Sequence, residues 1–149
     1  MENLQKVLIV EDDNFLGELL MEHLKKNSIR ASVARDAETA LKIIHQELPS
    51  LVLLDLLLPG MSGLKMLEQL KNEDIVPSLS VIILSNLSQT EKIEQAINLG
   101  AKDFLIKASF DLNEITEKVK SALDVAQNTI SVQKSMNPTE QTISPIANI

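Results

Sequence analysis

Cysteine and aromatic residues are the scarcest features of this sequence. Of its 149 residues only 2% are aromatic, with no tryptophan and no tyrosine, whereas 44% are hydrophobic. The core must therefore be built from leucine, isoleucine and valine. The chain contains no cysteine, which excludes a disulfide framework and a thiolate metal site. This absence fits the reducing cytoplasm, where we expect the protein to be located.

Long apolar runs and clusters of positive charge are also missing. No stretch approaches the roughly 20 apolar residues of a membrane span, and no signal peptide is visible in the first residues, so we expect no membrane insertion. The net charge is −7, without any run rich in lysine or arginine, so we expect no direct binding to nucleic acid. An acidic chain can still bind a divalent cation or a basic surface of another protein.

Short apolar runs alternate with segments of helical periodicity, five times over. The apolar runs cover residues 6–10, 31–34, 51–54, 80–84 and 103–106. Continuous runs of this kind are typical of strands in a sheet that is covered on both faces. Strands that alternate with helices predict an α/β fold with a doubly wound parallel sheet and right-handed crossovers. Five such units favour the flavodoxin-like (βα)5 arrangement with strand order 2-1-3-4-5.

Helix-terminating residues agree with this pattern. Asp13 and Asp36 are placed to cap the first and second helices. Residues 88–91 (SQTE) and 111–114 (DLNE) resemble capping boxes before the fourth and fifth helices. Gly100 follows the fourth helix, as a C-terminal capping glycine does.

The last part of the chain differs in composition from the rest. We expect the fifth helix to end near Gln127, so that residues 1–127 form one domain. Residues 128–149 are polar, contain proline and lack helical periodicity, which predicts a disordered tail. Two alternatives are a linker to a further domain and a short peptide that docks on a partner through Ile143, Ile146 and Ile149.

Polar side chains follow the predicted strands at the edge where α/β sheets bind ligands. They are Glu11, Asp12 and Asp13 after the first strand, Asp55 after the third, Ser85 after the fourth and Lys107 after the fifth. A cluster of carboxylates is tolerated where it holds a cation, and oxygen donors suit Mg²⁺ or Mn²⁺. Because Asp13 is placed as a helix cap, we expect Asp12 to bind the metal directly and Glu11 to act through water. His23 and His45 lie in helical patterns and are interpreted as ordinary helix residues.

Four segments together resemble the receiver domains of two-component response regulators. They are VLIVEDD, LVLLDLLLPGMSG, VIILSN and GAKDFLIKA, and the resemblance covers about residues 5 to 126. It implies that Asp55 is the phosphoacceptor for a phosphoryl group donated by a histidine kinase or a histidine phosphotransfer protein. Mg²⁺ would be held by Asp12, Asp55 and the backbone carbonyl of Leu57, with Glu11 in the outer shell.

The resemblance also implies roles for the residues after the fourth and fifth strands. Lys107 would pair with a phosphoryl oxygen, and Ser85 would bond to another. Phe104 matches the family's switch aromatic, which moves inward on phosphorylation and changes the face formed by the fourth helix, fifth strand and fifth helix. One departure is Ala108 after Lys107, where family members usually have proline in a cis bond. The loop either keeps the cis bond or relaxes to trans and holds Lys107 differently.

Output would then come through contact with another protein. No helix-turn-helix pattern follows the fifth helix, so we expect a stand-alone receiver that controls an unidentified downstream protein, and a homodimer is left open. Such a domain is not an enzyme beyond its own phosphorylation and dephosphorylation.

One alternative is a docking module that works without phosphorylation. A Mg²⁺-dependent phosphatase of the haloacid dehalogenase type is disfavoured, because Leu57 occupies the place where that family has a second acid. A nucleotide-binding domain is also disfavoured, because no glycine-rich phosphate loop follows the first strand.

Overall fold

Strands and helices alternate strictly along the chain. A computed structural model describes residues 5–76, 78–109 and 111–135, the side chains of residue 87 and of residues 125–135 excepted. The strands are β1 (Lys6–Val10), β2 (Arg30–Ala34), β3 (Leu51–Asp55), β4 (Ser80–Ser85) and β5 (Asp103–Ile106). The helices are α1 (Asn14–Lys26), α2 (Ala37–Gln46), α3 (Gly63–Asn72), α4 (Thr90–Asn98) and α5 (Leu112–Ser135). The observed strands match the predicted apolar runs to within one residue.

The five strands form one parallel sheet in the order β2-β1-β3-β4-β5, which confirms the predicted doubly wound fold. Strand β3 lies in the middle of the sheet and is buried throughout. Because side chains alternate along a strand, Leu51 and Leu53 pack with α1 and α5 on one face, and Val52 and Leu54 pack with α2, α3 and α4 on the other. This double burial explains why β3 reads as an uninterrupted apolar run.

Most of the predicted helix caps are present. The side chains of Asp13, Asp36 and Asp111 accept hydrogen bonds from the backbone N–H groups of Leu16, Thr39 and Glu114, at 3.0, 2.7 and 2.7 Å. Gly100 adopts a positive φ of 116° after α4, as predicted for a capping glycine.

The predicted capping box at residues 88–91 is wrong. A short 3₁₀ turn, Leu87–Gln89, precedes α4, and Gln89 at the start of α4 makes no side-chain capping bond. The turn is closed by a bond from Gln89 N–H to the carbonyl of Asn86 at 3.0 Å. Ser88 therefore lies inside a helical segment, where it cannot adopt the extended conformation of a capping residue.

Helix α5 does not end near Gln127 but continues to Ser135. No glycine or proline occurs between these residues, and adding residues to an existing helix costs far less than starting one. The rest of the predicted tail, with Ile143, Ile146 and Ile149, lies outside the described residues, so the domain boundary at residue 127 stays a prediction. Within the part of the chain that the structure describes, no helix is both long and apolar enough to cross a membrane.

Gly63 brings α3 close to the end of β3. Its N–H donates to the carbonyl of Leu56 at 3.0 Å. A Cβ atom at this position would lie within 3.0 Å of the backbone of Asp55 and Leu56. Backbone atoms cannot rotate away as a side chain can, so only glycine fits here without moving the loop that carries Asp55.

The substitution Gly63→Ala tests this close approach. We expect it to lower the free energy of unfolding by about 1–3 kcal/mol, because the added methyl group must displace backbone. Urea unfolding followed by circular dichroism measures the change. Gly17→Ala in α1 is the matched control, since its Cβ would meet a side-chain methyl of Val33 at 3.2 Å. The control should stay within about 1 kcal/mol of the parent, because better helix propensity offsets this milder contact. Equal losses in the two variants would contradict the interpretation.

Candidate functional site

The predicted site residues meet at the carboxyl edge of the sheet. Glu11 directly follows β1, Asp55 and Ser85 are the last residues of β3 and β4, and Lys107 directly follows β5. Strands β1, β3, β4 and β5 are consecutive neighbours in the sheet, so their ends lie side by side. Glu11, Asp55 and Ser85 are only 1%, 4% and 2% exposed. Burial of polar groups costs free energy unless they are paired, so these side chains are expected to interact with one another or with a ligand.

Three carboxylates form the acidic part of the site. One oxygen from each of Glu11, Asp12 and Asp55 can be chosen so that all three lie within 4.8 Å of one another. Asp12 is exposed to solvent, whereas Glu11 and Asp55 are buried. Glu11 Oε2 accepts a hydrogen bond from the N–H of Asp13 at 3.1 Å, and Glu11 Oε1 forms an ion pair with Lys107. A donor set made only of oxygen atoms fits Mg²⁺ or Mn²⁺.

Lys107 supplies the positive charge of the site. Its Nζ lies 2.8 Å from Glu11 Oε1 and 3.0 Å from Asp55 Oδ2, to which it also donates a hydrogen bond. Burial lowers the pKa of Lys107, but its contacts with Glu11 and Asp55 outweigh burial, so that the pKa is raised overall and the ammonium form is favoured. Burial, aided by the charge of Asp55, raises the pKa of Glu11 against the opposing effect of Lys107.

Backbone hydrogen bonds position Lys107 without a following proline. The N–H of Lys107 donates to the carbonyl of Ser85 at 2.7 Å, which continues the β4–β5 ladder by one residue. The N–H of Ser109 then donates to the carbonyl of Ile106 at 3.1 Å and turns the chain away from the sheet. The ladder therefore places the Lys107 side chain beside Asp55, although the following residue is Ala108 and not proline.

The two oxygens of Asp55 have different partners. Oδ1 accepts the N–H of Leu57 at 3.0 Å, and Oδ2 accepts Lys107. The backbone of Leu57 is thus part of the site, although the role of its carbonyl as a metal ligand stays a prediction. Asp13 caps α1 as expected, and both histidines lie in helices, His45 in contact with Glu73 at 2.9 Å.

Ser85 and Phe104 lie on neighbouring strands. The hydroxyl of Ser85 donates to the carbonyl of Asn86 at 3.2 Å. Phe104 is 40% exposed, so its ring lies at the surface.

Lys118 of α5 contacts this part of β5, which the sequence patterns did not predict. Its Nζ donates to Asp103 Oδ1 at 3.0 Å and to the carbonyl of Phe104 at 3.1 Å. The same Nζ lies 5.9 Å from the centre of the Phe104 ring. A lysine on a helix face carries no sequence signal that distinguishes this role from a solvated one.

This combination of fold and site is the one expected of a receiver domain: a doubly wound sheet with carboxylates, a hydroxyl and a lysine at its carboxyl edge. The sequence model described as the response regulator receiver domain matches residues 7–120. The chain therefore belongs to the response regulator receiver family of two-component signal transduction.

Known relatives agree with this assignment. The chain is 35% identical over 124 residues to sporulation initiation phosphotransferase F of Bacillus subtilis, a match that covers 83% of the chain and 98% of that protein. It is 28% identical over 119 residues to the phosphate regulon transcriptional regulatory protein PhoB of Escherichia coli, covering 80% of the chain but only 52% of PhoB. The solved receiver domain of NtrX from Brucella abortus is similar with 31% identity and a TM-score of 0.73, over 79% of the chain and 98% of that domain.

Removal of the lysine charge tests the electrostatics of the site. In buffer without divalent cations, we expect Lys107→Met to lower the free energy of unfolding by about 1–3 kcal/mol, because two buried carboxylates lose their shared cation. Lys118→Met is the matched control, since its pair with Asp103 is more exposed, and it should cost at most about 1 kcal/mol. Urea unfolding gives both values. A loss for Lys107→Met no larger than that of the control would refute the compensating role of Lys107.

Proposed function

We propose that this receiver accepts a phosphoryl group on Asp55 from the phosphohistidine of a histidine kinase or a histidine phosphotransfer protein. The observation that carries the proposal is the contact of Lys107 with Asp55 beside the three clustered carboxylates. Phosphoryl transfer depends mostly on positioning and on neutralisation of charge. The buried carboxylate of Asp55 is held in position, and the ammonium group of Lys107 next to it provides part of the charge neutralisation.

The transfer itself would be a single displacement. One carboxylate oxygen of Asp55 forms a bond to phosphorus while the bond between phosphorus and the donor's imidazole nitrogen breaks. The electron pair of that bond stays on the imidazole nitrogen. Lys107 would then stabilise the negative charge that builds up on the phosphoryl oxygens, and the hydroxyl of Ser85 would bond to one of them.

A divalent cation would complete the neutralisation of charge. Asp12, Asp55 and the Leu57 carbonyl would hold Mg²⁺ or Mn²⁺, with Glu11 in the outer shell. When bound, the ion supplies positive charge to the phosphoryl oxygens and lessens the repulsion between an anionic nucleophile and an anionic donor. The three clustered carboxylates support this assignment, because the single positive charge of Lys107 cannot offset three negative charges.

Phosphorylation would be read out at the face formed by α4, β5 and α5. Ser85 would turn toward the phosphoryl group, and Phe104 would move from its exposed position into the space beside it. The changed face would bind a downstream protein, with a second copy of the chain as the other candidate. Direct contact with nucleic acid is disfavoured by the net charge of −7.

We further propose that the receiver acts as a stand-alone protein in the cytoplasm. The B. subtilis relative, of which the chain spans 98%, supports a single-domain arrangement. Relatives such as PhoB are about twice as long as their match to this chain, so a fused output domain is the alternative. The lack of cysteine fits a reducing compartment.

The phosphoacceptor assignment is tested with acetyl phosphate and Mg²⁺. We expect intact-mass spectrometry to detect a single phosphoryl adduct on the parent chain and none on Asp55→Asn, because the amide is not a nucleophile. Asp13→Asn is the control, since Asp13 is close in sequence but caps α1, and it should still form the adduct. An adduct on Asp55→Asn would overturn the assignment. If the parent chain forms no adduct and binds no Mg²⁺, the docking module that works without phosphorylation becomes the better interpretation.

The metal assignment is tested by thermal unfolding with and without Mg²⁺. An ion that binds only the folded state raises the unfolding temperature. At an ion concentration of 100 times the dissociation constant, the free energy of unfolding increases by about 2.7 kcal/mol. We expect Asp12→Asn to lose most of this shift. Asp13→Asn should unfold at nearly the same temperature as the parent, because asparagine caps a helix about as well as aspartate, and it should keep the full shift. The same Mg²⁺ shift in Asp12→Asn and the parent would remove Asp12 from the metal site.

A further inference from the structure

An apolar groove runs between α4 and β5. Its volume is about 530 Å3, and its apolar walls are formed by Ile93, Ile97, Phe104 and Ile106, with Glu94 as the one acidic side chain among its described lining residues. Ile97 and Phe104 are each 40% exposed. Adjacent exposed isoleucine and phenylalanine side chains are typical of a surface that another segment covers.

The chain itself contains a segment of matching chemistry. Residues 143–149 read ISPIANI and carry no charged side chain, and isoleucine recurs at every third position. Pro145 and the residue before it favour extended polyproline II backbone, a helix with three residues per turn. In that conformation the isoleucines would line one edge, with neighbours about 9 Å apart. Helix α4 with its nine residues is about 13 Å long, so the groove has room for two neighbouring isoleucines.

The length of the intervening chain allows this segment to reach the groove. Lys118 of α5 contacts the carbonyl of Phe104 and so marks the level of the groove along the helix. From Lys118, α5 continues to Ser135, which is about 25 Å at 1.5 Å per residue. The chain from Ser135 back to Ile146 can span about 36 Å at full extension. Ile146 therefore reaches the groove with chain to spare.

We propose that residues 143–149 dock, within the same chain, into the groove between α4 and β5, with their isoleucines against Ile97 and Phe104. Because few residues separate the segment from Ser135, docking within the chain would occur at an effective concentration in the millimolar range. Even an intrinsically weak apolar contact would then be substantially populated. The regulatory consequence rests on the proposed function: because Phe104 lines the groove and is also the proposed switch residue, the docked segment would compete with a downstream protein for the switched face.

Paramagnetic broadening tests the docking without any phosphoryl donor, so that its failure leaves the phosphoacceptor proposal untouched. The chain has no cysteine, and Asn148→Cys therefore places a single nitroxide label on the segment. We expect the methyl signals of Ile97 and Ile106 to lose most of their intensity in the full-length protein. The signal of Ile29, beside the opposite edge strand β2, should be unchanged.

Two matched variants identify the cause of the broadening. Replacement of Ile143, Ile146 and Ile149 by serine should restore the Ile97 signal. Replacement of Gln141, Thr142 and Ala147 by serine, which leaves the isoleucines in place, should not. Broadening that survives the isoleucine substitutions, or no broadening at Ile97, overturns the proposal. Broadening found only when spin-labelled chains are mixed with separate isotope-labelled chains would assign the groove to a second copy and would also overturn it.

Discussion

The ammonium group of Lys107 between the carboxylates of Glu11 and Asp55 is the contact on which the site depends. Two acids at the buried ends of adjacent strands repel each other, and burial disfavours their charged forms. Lys107 offsets both effects, since its Nζ lies within 3.0 Å of each carboxylate. It reaches them because β5 is held to β4 up to and including the bond from Lys107 N–H to the carbonyl of Ser85. The hydrogen bonds of the sheet thus determine where the positive charge of Lys107 lies.

The same constraint explains why Asp55 ends an otherwise apolar strand. The four residues before it pack on both faces of the sheet and have no exposure. Asp55 lies at the edge of the sheet, close to the solvent-exposed Asp12. Gly63 lets α3 pack against the backbone of Asp55 and Leu56. Strand, helix and loop together hold one oxygen of Asp55 toward the N–H of Leu57 and the other toward Lys107. A carboxylate fixed in this way would need little reorganisation for the phosphoryl transfer proposed above.

The sequence predicts the fold well because each element has a local cause. Apolar runs define the strands, and the aspartates at positions 13, 36 and 111 define three helix starts. Two helix boundaries differ from the prediction: a 3₁₀ turn replaces the expected cap before α4, and α5 runs past Gln127 because no glycine or proline interrupts it. The Glu11–Lys107 pair and the bond from Lys118 to the Phe104 carbonyl join residues far apart in the chain. Such contacts follow from strand register and helix packing, which no short motif encodes.

One hydrogen-bonded ladder connects the site to the face proposed to read it. In the β4–β5 register, Ser85 lies opposite Ile106 and Ile83 lies opposite Phe104. Ile106 and Phe104 both line the groove beside α4, whereas Ser85 and Lys107 belong to the site. A shift of Ser85 toward a phosphoryl group would therefore act on the end of β4, whose hydrogen-bonded neighbour β5 forms one wall of the groove. Because packed strands move as units rather than bend continuously, a small displacement at the site would alter the groove along its length.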